Sequence, residues 1–232
     1  MRIATVQARM GSSRLPGKVL MSVNGIPMIL QQVFRLQKFE LFDKIFVATT
    51  DAEADDVLCE VLAQRGVEFF RGSENDVLGR LADGLSSYSG RCTHFEFSGD
   101  SPLADRDIVE FVYKNYQIFT EFGGKFVTNG KEITFPNGTE VCIYDLNTLR
   151  SVNSQAALDD PEREDVDKVF LKILDKPEVL NVKAPPRWHA PDIYIEVDEQ
   201  SDLDLLRAVV KNFQNENTFS YFQITDVIKF LR

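Results

Sequence analysis

No run of eighteen apolar residues occurs in this chain, so no segment reads as a membrane-spanning helix. Cysteine is scarce: Cys59, Cys92 and Cys142 are an odd number, widely separated and without metal-ligand spacing, and read as reduced structural residues. Histidine is scarcer. With only His94 and His189, the chain offers no Ser/His/Asp constellation for nucleophilic catalysis. A net charge of −10 lacks the basic footprint of a general nucleic-acid binder. The opening Met1-Arg2-Ile3-Ala4-Thr5-Val6 runs directly into Gln7-Ala8-Arg9, without the apolar core and cleavage site of a signal peptide. The expectation is a soluble cytoplasmic protein.

The most informative absence is local. No Asp or Glu precedes Glu40, whereas Arg2, Arg9, Arg14, Lys18, Arg35 and Lys38 all do. An anion site inside an acidic protein is the natural reading, with Arg35 and Lys38 assigned to the solvated face of a helix. What is present in quantity is apolar: 44% of 232 residues, 11% aromatic, enough for one large domain with a core.

Residues 2–6 form a β-branched stretch followed by a Gly/Ser/Pro loop at 11–18, and 26–39 has helical periodicity through Ile26, Ile29, Leu30, Val33, Phe34 and Leu36. The pattern then predicts a strand at 44–49, a helix at 54–65 closed by Gly66, a strand at 67–70, a helix at 75–88, a strand at 93–98 and a helix at 105–119. Strands alternating with helices of ten or more residues imply a mostly parallel sheet in a three-layer α/β fold, because parallel neighbours need crossovers. After Gly123 the rhythm changes. A strand at 139–144 follows the turn Pro136-Asn137-Gly138, a charged helix spans 162–174, strands fall at 179–182 and 193–197, and helices at 203–213 and 224–231 close the chain.

In open α/β sheets, ligands bind beyond the carboxyl ends of strands, where loops offer backbone N–H groups to anions. Gln7-Ala8-Arg9-Met10-Gly11-Ser12-Ser13-Arg14-Leu15-Pro16-Gly17-Lys18 occupies that place after the first strand, with two glycines, two hydroxyls and three cations. It is not a P-loop: the Gly11 to Gly17-Lys18 interval is one residue too long, and Val19 stands where a Ser or Thr would hold magnesium. No G-x-G-x-x-G occurs, which argues against a dinucleotide fingerprint.

This segment, extended through Val19-Leu20, resembles the signature of the cytidylyltransferases that include the CMP-Kdo and CMP-sialic acid synthetases, and most of all the spore-coat polysaccharide protein F group. Further pieces follow in order: Ala48-Thr49-Thr50-Asp51, Phe70-Arg71-Gly72-Ser73-Glu74-Asn75-Asp76-Val77-Leu78-Gly79-Arg80, Gly99-Asp100-Ser101-Pro102-Leu103, Glu162-Arg163-Glu164 and Val197-Asp198-Glu199. The resemblance implies a Rossmann-like fold of the nucleotide-diphospho-sugar transferase type, one nucleotidyltransferase domain over 1–232 with an acceptor and dimerisation subregion near 123–180, and a homodimer.

It also implies roles. Arg9, Arg14 and Lys18 would hold the triphosphate of CTP, lined by Ala8, Met10, Gly11, Ser12 and Ser13. Asp100 and Asp198, each expected at a strand end, would bind Mg²⁺, although Asp198 also precedes a helix and suits a capping role. Cytosine and ribose would lie over Thr50, Arg71 and Asp76, with Gln7 as a further partner; Ser73 and Asp76 equally form a capping-box-like pair. The implied reaction transfers CMP to an acidic sugar or related phospho-acceptor, releasing pyrophosphate, in surface polysaccharide or glycoconjugate synthesis.

Two departures bear on the acceptor. Glu162-Arg163-Glu164-Asp165 stands where the closest group commonly has Glu-Arg-x-His, and Tyr194-Ile195-Glu196-Val197 lacks a basic residue expected before the strand-end aspartate. Lys183, Arg187 and Trp188 are then the remaining acceptor-side candidates. A glycosyltransferase is the rival enzyme, but the Asp-x-Asp runs at 105–107, 165–167 and 202–204 all fall at or within predicted helices, where capping or a solvated face explains them. A non-catalytic nucleotide-binding homologue is the third reading.

Overall fold

The structure, a computed structural model, describes residues 1–232. Strand β1 (Arg2–Gln7) is followed by the loop and by a small hairpin, β2 (Ser22–Val23) and β3 (Ile26–Pro27). Then come α1 (Met28–Lys38), β4 (Lys44–Thr50), α2 (Asp56–Gln64), β5 (Phe69–Gly72) and α3 (Val77–Gly84). Strand β6 (Thr93–Ser98) leads to α4 (Arg106–Glu121), β7 (Phe126–Thr128), β8 (Cys142–Asp145) and α5 (Leu146–Gln155). The chain ends with α6 (Val166–Ile173), β9 (Val179–Asn181), α7 (Gln200–Phe213) and α8 (Ile224–Leu231).

Seven strands form one sheet in the order β5-β4-β1-β6-β8-β7-β9, with only β8 antiparallel to its neighbours. Alternation along β1 feeds both faces: Ala4 and Val6 join the apolar layer under α1, α2, α4, α7 and α8, while Ile3 joins the layer under α3, α5 and α6. The mostly parallel, three-layer fold expected from the alternation is what the chain adopts. After β1 the chain builds outward through β4 to β5, then returns to lay β6 on the other side of β1. That reversal splays the loops after β1 and β6 apart and opens a crevice between them.

Several elements differ from the sequence expectation, each for a local reason. The helix read from Ile26 starts at Met28, because Val23 and Ile26 pair across the Asn24-Gly25 turn of the β2–β3 hairpin. The 162–174 helix breaks at Asp165: a short 3-10 turn over Pro161–Glu164 ends there before α6 begins. Strand β7 and helix α5 had no clear pattern; β7 has three residues, and α5 is mostly polar with Asp145 as its cap. The 193–197 strand does not form. Its backbone is shared between two partners, Asn137 (Ile195 N to Asn137 O, 2.9 Å) and Asp100 (Val197 N to Asp100 O, 2.8 Å), so no continuous ladder develops. Gly138, at φ 95°, permits this approach, since a Cβ there would meet the Glu196 backbone nitrogen at 2.7 Å.

Arg35 also departs from its solvated assignment. It is 1% exposed, its Nε donates to Ala104 O (3.0 Å) and its Nη2 to Phe222 O (2.8 Å), and its guanidinium lies 4.6 Å from the ring centroids of both Tyr221 and Phe222. Carbonyl acceptors and aromatic faces replace water around the charge. The loop leaving β6 is thereby tied to α1 and to the C-terminal segment.

Among buried titratable groups, His94 is 0% exposed; one ring nitrogen shares a hydrogen bond with Thr5 Oγ1 (2.8 Å), and burial pushes its pKa down from 6.5 to about 3. The unfolded chain therefore binds a proton that the folded chain refuses. Stability from the neutral ring is intact above pH 6.5 and is lost as pH falls from there toward about 3. Chemical denaturation from pH 7 down to pH 4 is expected to show a shallower acid slope for His94→Gln than for the parent; identical slopes would remove His94 from the acid response.

Candidate active site

A cleft of about 660 Å³ opens at the carboxyl ends of β1 and β6. One rim is the 8–17 loop, which is pinned at both ends. Ala8 N donates to Ala48 O (3.1 Å), Gly17 N to Met10 O (2.9 Å), and Leu15 and Val19 sink into the core. Gly17, at φ 74°, turns the chain so that Lys18 points inward. Gly11, Ser13 and Arg14 stay exposed on the rim.

The interior anchor is Asp55, 1% exposed. Its carboxylate accepts from Met10 N (2.6 Å), Thr49 Oγ1 (3.1 Å), Thr50 N (3.2 Å) and Thr50 Oγ1. One buried charge thus fixes the loop to the end of β4. The sequence offered no sign of this, because Asp55 stands in an acidic run at a helix start, where capping is the ordinary explanation.

Lys18, 7% exposed, joins three segments. Its Nζ donates to Val197 O (2.6 Å) and lies 3.2 Å from both Asp100 Oδ2 and Asp198 Oδ1. Arg14 Nη2 reaches the same Asp198 oxygen at 2.7 Å, and Tyr194 donates to Asp198 Oδ2 (2.8 Å). Burial works against the Asp198 charge, but the Tyr194 hydroxyl, Lys18 and Arg14 hold its carboxyl below the usual range. Asp198 does not cap α7; Glu199 does, in a box with Asp202. Asp100, Glu196 and Asp198 offer carboxylate oxygens all within 4.8 Å of one another, an arrangement of hard donors that can hold a divalent cation. Burial, then Asp100 and Asp198, raise the carboxyl of Glu196.

The sequence-predicted residues divide. Gln7, Ala8, Arg9, Gly11, Ser12, Ser13, Arg14, Lys18, Asp100 and Asp198 all line the cleft. Met10, Thr50, Arg71 and Asp76 do not. Met10 contributes its backbone to the Asp55 anchor, and Thr50 is held there too. Arg71 turns its donors to Thr50 O (2.7 Å), Ala52 O (2.9 Å) and Asp56 (2.6 Å). Asp76 caps α3 through Gly79 N (2.7 Å) and accepts both prongs of buried Arg163 at 2.9 Å. Arg80 is the guanidinium on the wall near Gln7, donating to its Oε1 (2.9 Å).

Arg163 explains the Glu162-Arg163-Glu164-Asp165 segment. Anchored on Asp76, Asn153 and Ala156 O, it presents Glu164 across the cleft to Arg9 (2.8 Å). Of the other acceptor-side candidates, Trp188 is 1% exposed between Phe111 and Phe135, Arg187 stacks on it, and Lys183 pairs with Glu132. None of the three reaches the cleft. Glu96 was not anticipated: it lines the cleft, accepts from Tyr144 Oη (2.6 Å), and burial lifts its carboxyl to about 7.

The sheet order, the cation-bearing loop after β1 and the cluster of Asp100, Glu196 and Asp198 mark a nucleotidyl-transferring enzyme on a Rossmann-like fold. Residues 3–157 match the model of the family described as Cytidylyltransferase, and the chain belongs to that family of nucleotidyltransferases. It is 27% identical over 215 residues to the Spore coat polysaccharide biosynthesis protein SpsF of Bacillus subtilis (strain 168), covering 88% of this chain and 84% of that one. Its fold superposes on a cytidylyltransferase from Leptospira borgpetersenii with a TM-score of 0.87 at 26% identity, covering 99% and 93% of the two chains. It also superposes on a CMP:2-keto-3-deoxy-manno-octonic acid synthetase solved in complex with CTP, with a TM-score of 0.66 at 16% identity over 92% and 99%.

Removing the Asp55 carboxylate strands several buried donors, each costing about 1–3 kcal/mol. Asp55→Ala is therefore expected to lower the thermal midpoint by several degrees and to expose the 8–17 loop to proteolysis. An unchanged midpoint and cleavage pattern would show that the loop is held otherwise.

Proposed function

We propose that this protein transfers CMP from CTP to an acidic sugar or a related phospho-acceptor, releasing pyrophosphate, in surface polysaccharide or glycoconjugate synthesis. The convergence of Lys18 and Arg14 on Asp100 and Asp198 carries this reading: cations for a polyphosphate and carboxylates for its counter-ion meet at one point. The CTP named for the octonic acid synthetase and the polysaccharide role named for the Bacillus protein support the choice of nucleotide and pathway.

The chemistry is in-line attack by an acceptor oxygen on the α-phosphorus, with the bond to pyrophosphate breaking on the opposite side. The amides of exposed Gly11 and Ser13 and the guanidinium groups of Arg9 and Arg14 receive the triphosphate and neutralise charge gathering on the leaving group. To do so Arg9 exchanges Glu164, and Arg14 exchanges Asp198, for phosphate oxygens. Gln7 and Arg80, side by side beneath the loop, are placed to meet the base or ribose. Asp100, Glu196 and Asp198 fit Mg²⁺ by donor type and spacing, and when bound it supplies Lewis-acid neutralisation of the reacting phosphate. Lys18 keeps Asp100 and Asp198 together and fixes Val197 O beside them.

Thermal-shift titration in Mg²⁺ is expected to rank CTP above UTP, ATP and GTP, with about 2.7 kcal/mol of stabilisation at one hundred times the dissociation constant. A flat ranking would sink the CTP assignment. In a pyrophosphate-release assay, Lys18→Ala and Asp100→Asn should each lose about a hundredfold or more, as losses of preorganised charge do. Parental rates in both would remove these residues from the site.

A further inference from the structure

A row of polar side chains crosses one face of the sheet at the base of the cleft. Arg80 on α3, Gln7 at the end of β1, Glu96 on β6 and Tyr144 on β8 follow one another, and the first three line the cleft. Gln7 faces Ser98 across the β1–β6 ladder, which makes Glu96 its diagonal neighbour on the same face. Cys142 pairs with Glu96 in turn, and Tyr144, two residues on, shares that face.

The direction of hydrogen bonding along this row is set from both ends. A guanidinium can only donate, so Arg80 Nη2 takes Gln7 Oε1 as its acceptor (2.9 Å) and turns Gln7 Nε2 toward Glu96 Oε1, a long contact of 3.5 Å. At the other end Tyr144 Oη donates to Glu96 Oε2 (2.6 Å). Passing from Arg80 to Glu96, the order is guanidinium donor, amide donor, carboxylate acceptor. Arg80 supplies a second observation. It is 5% exposed, and the partners of its guanidinium are Gln7 Oε1 and Ser73 O (2.7 Å), neither of them charged. A buried cation without an anion is costly, yet the fold makes room for it: a Cβ at Gly72 would meet Arg80 Cγ at 2.9 Å. A ligand with acceptors at one end and a donor at the other completes the row.

We propose that Glu96 selects cytosine over uracil by accepting a hydrogen bond from the N4 amine, with Gln7 Nε2 donating to N3 and Arg80 to O2. The proposal rests on the cleft being a CMP-transfer site and adds the residue that reads its base. Cytosine presents two acceptors and then an amine donor, which is the complement of the row. Uracil would set O4 against the carboxylate and N3–H against the Gln7 amide. Gln7 gives up its long contact with Glu96 in exchange for N3. Burial lifts the Glu96 carboxyl to about 7 even though Tyr144 and Gln7 donate to it, and a further N–H donor favours the ionised, accepting form.

The test titrates three triphosphates into the intact protein in Mg²⁺ by isothermal calorimetry: CTP, UTP and that of pyrimidin-2-one riboside, which is cytidine without its 4-amino group. Loss of a hydrogen bond to a charged group predicts that the parent binds UTP and the pyrimidin-2-one nucleotide each about tenfold or more weakly than CTP. In Glu96→Gln, whose amide can turn either an acceptor or a donor toward the base, the CTP-to-UTP preference should shrink by about tenfold. The comparison of CTP with the pyrimidin-2-one nucleotide needs no substitution, so it stands even where the variant folds poorly. Equal affinity for those two in the parent, or a parental CTP-to-UTP ratio in folded Glu96→Gln, overturns the assignment of Glu96 and leaves CMP transfer standing. Failure of all three nucleotides to bind the parent would overturn the transfer reading and this assignment with it.

Discussion

A single ammonium group holds the site together. Lys18 Nζ bonds the backbone at Val197 and contacts Asp100 and Asp198, joining the segment after β1, the loop after β6 and the irregular stretch before α7. A lysine this deeply placed is stable only because carboxylates and a carbonyl replace its water. Without it, three carboxylates within 4.8 Å of one another would be left with Arg14 on Asp198 as their cation, and the Asp100 and Asp198 segments with the single Val197 N to Asp100 O bond between them. The buried anion of Asp55 does the complementary work at the other end of the loop, and Arg35 fixes the exit of the Asp100 segment.

Much of the fold was legible because parallel α/β units repeat their pattern. Strands β1, β4 and β6 and helices α1, α2 and α4 announce themselves by period and punctuation, and the phosphate-type loop by its glycines, hydroxyls and cations. What stayed hidden has a common cause: it depends on contacts distant in sequence. Strand β7 is too short to show alternation, α5 buries only a narrow stripe, and residues 193–197 read as a strand because apolar residues bordering Asn137 and Asp100 look like residues in a ladder.

The site was legible along the chain segment that carries cations and less so across it. Ten of the fourteen residues named from sequence line the cleft, and Met10, Thr50, Arg71 and Asp76 have polar groups bonded within the protein. Their types were suggestive, but a donor or acceptor gives no sign in sequence of which neighbour it will face. Arg35 shows the same limit: a cation on a helix reads as surface until two aromatic rings from the far end of the chain enclose it. Glu96 and Glu140 carry no spacing signal because they meet only through the β6–β8 pairing.

The one antiparallel strand of the seven-stranded sheet, β8, has a consequence for how such an enzyme can diversify. The parallel strands β5, β4, β1 and β6 carry the cationic side of the cleft, and any shift in their register would misplace the 8–17 loop. Strand β8 joins that block by one edge, and the residues around it, from Gly130 to Val141 and from Glu164 to Asp167, are loops and a helix start with no ladder of their own to maintain. In the proposed CMP transfer, substitutions there change what the acceptor meets while the seat proposed for CTP keeps its geometry. The molecule is in this sense a fixed socket with an interchangeable face.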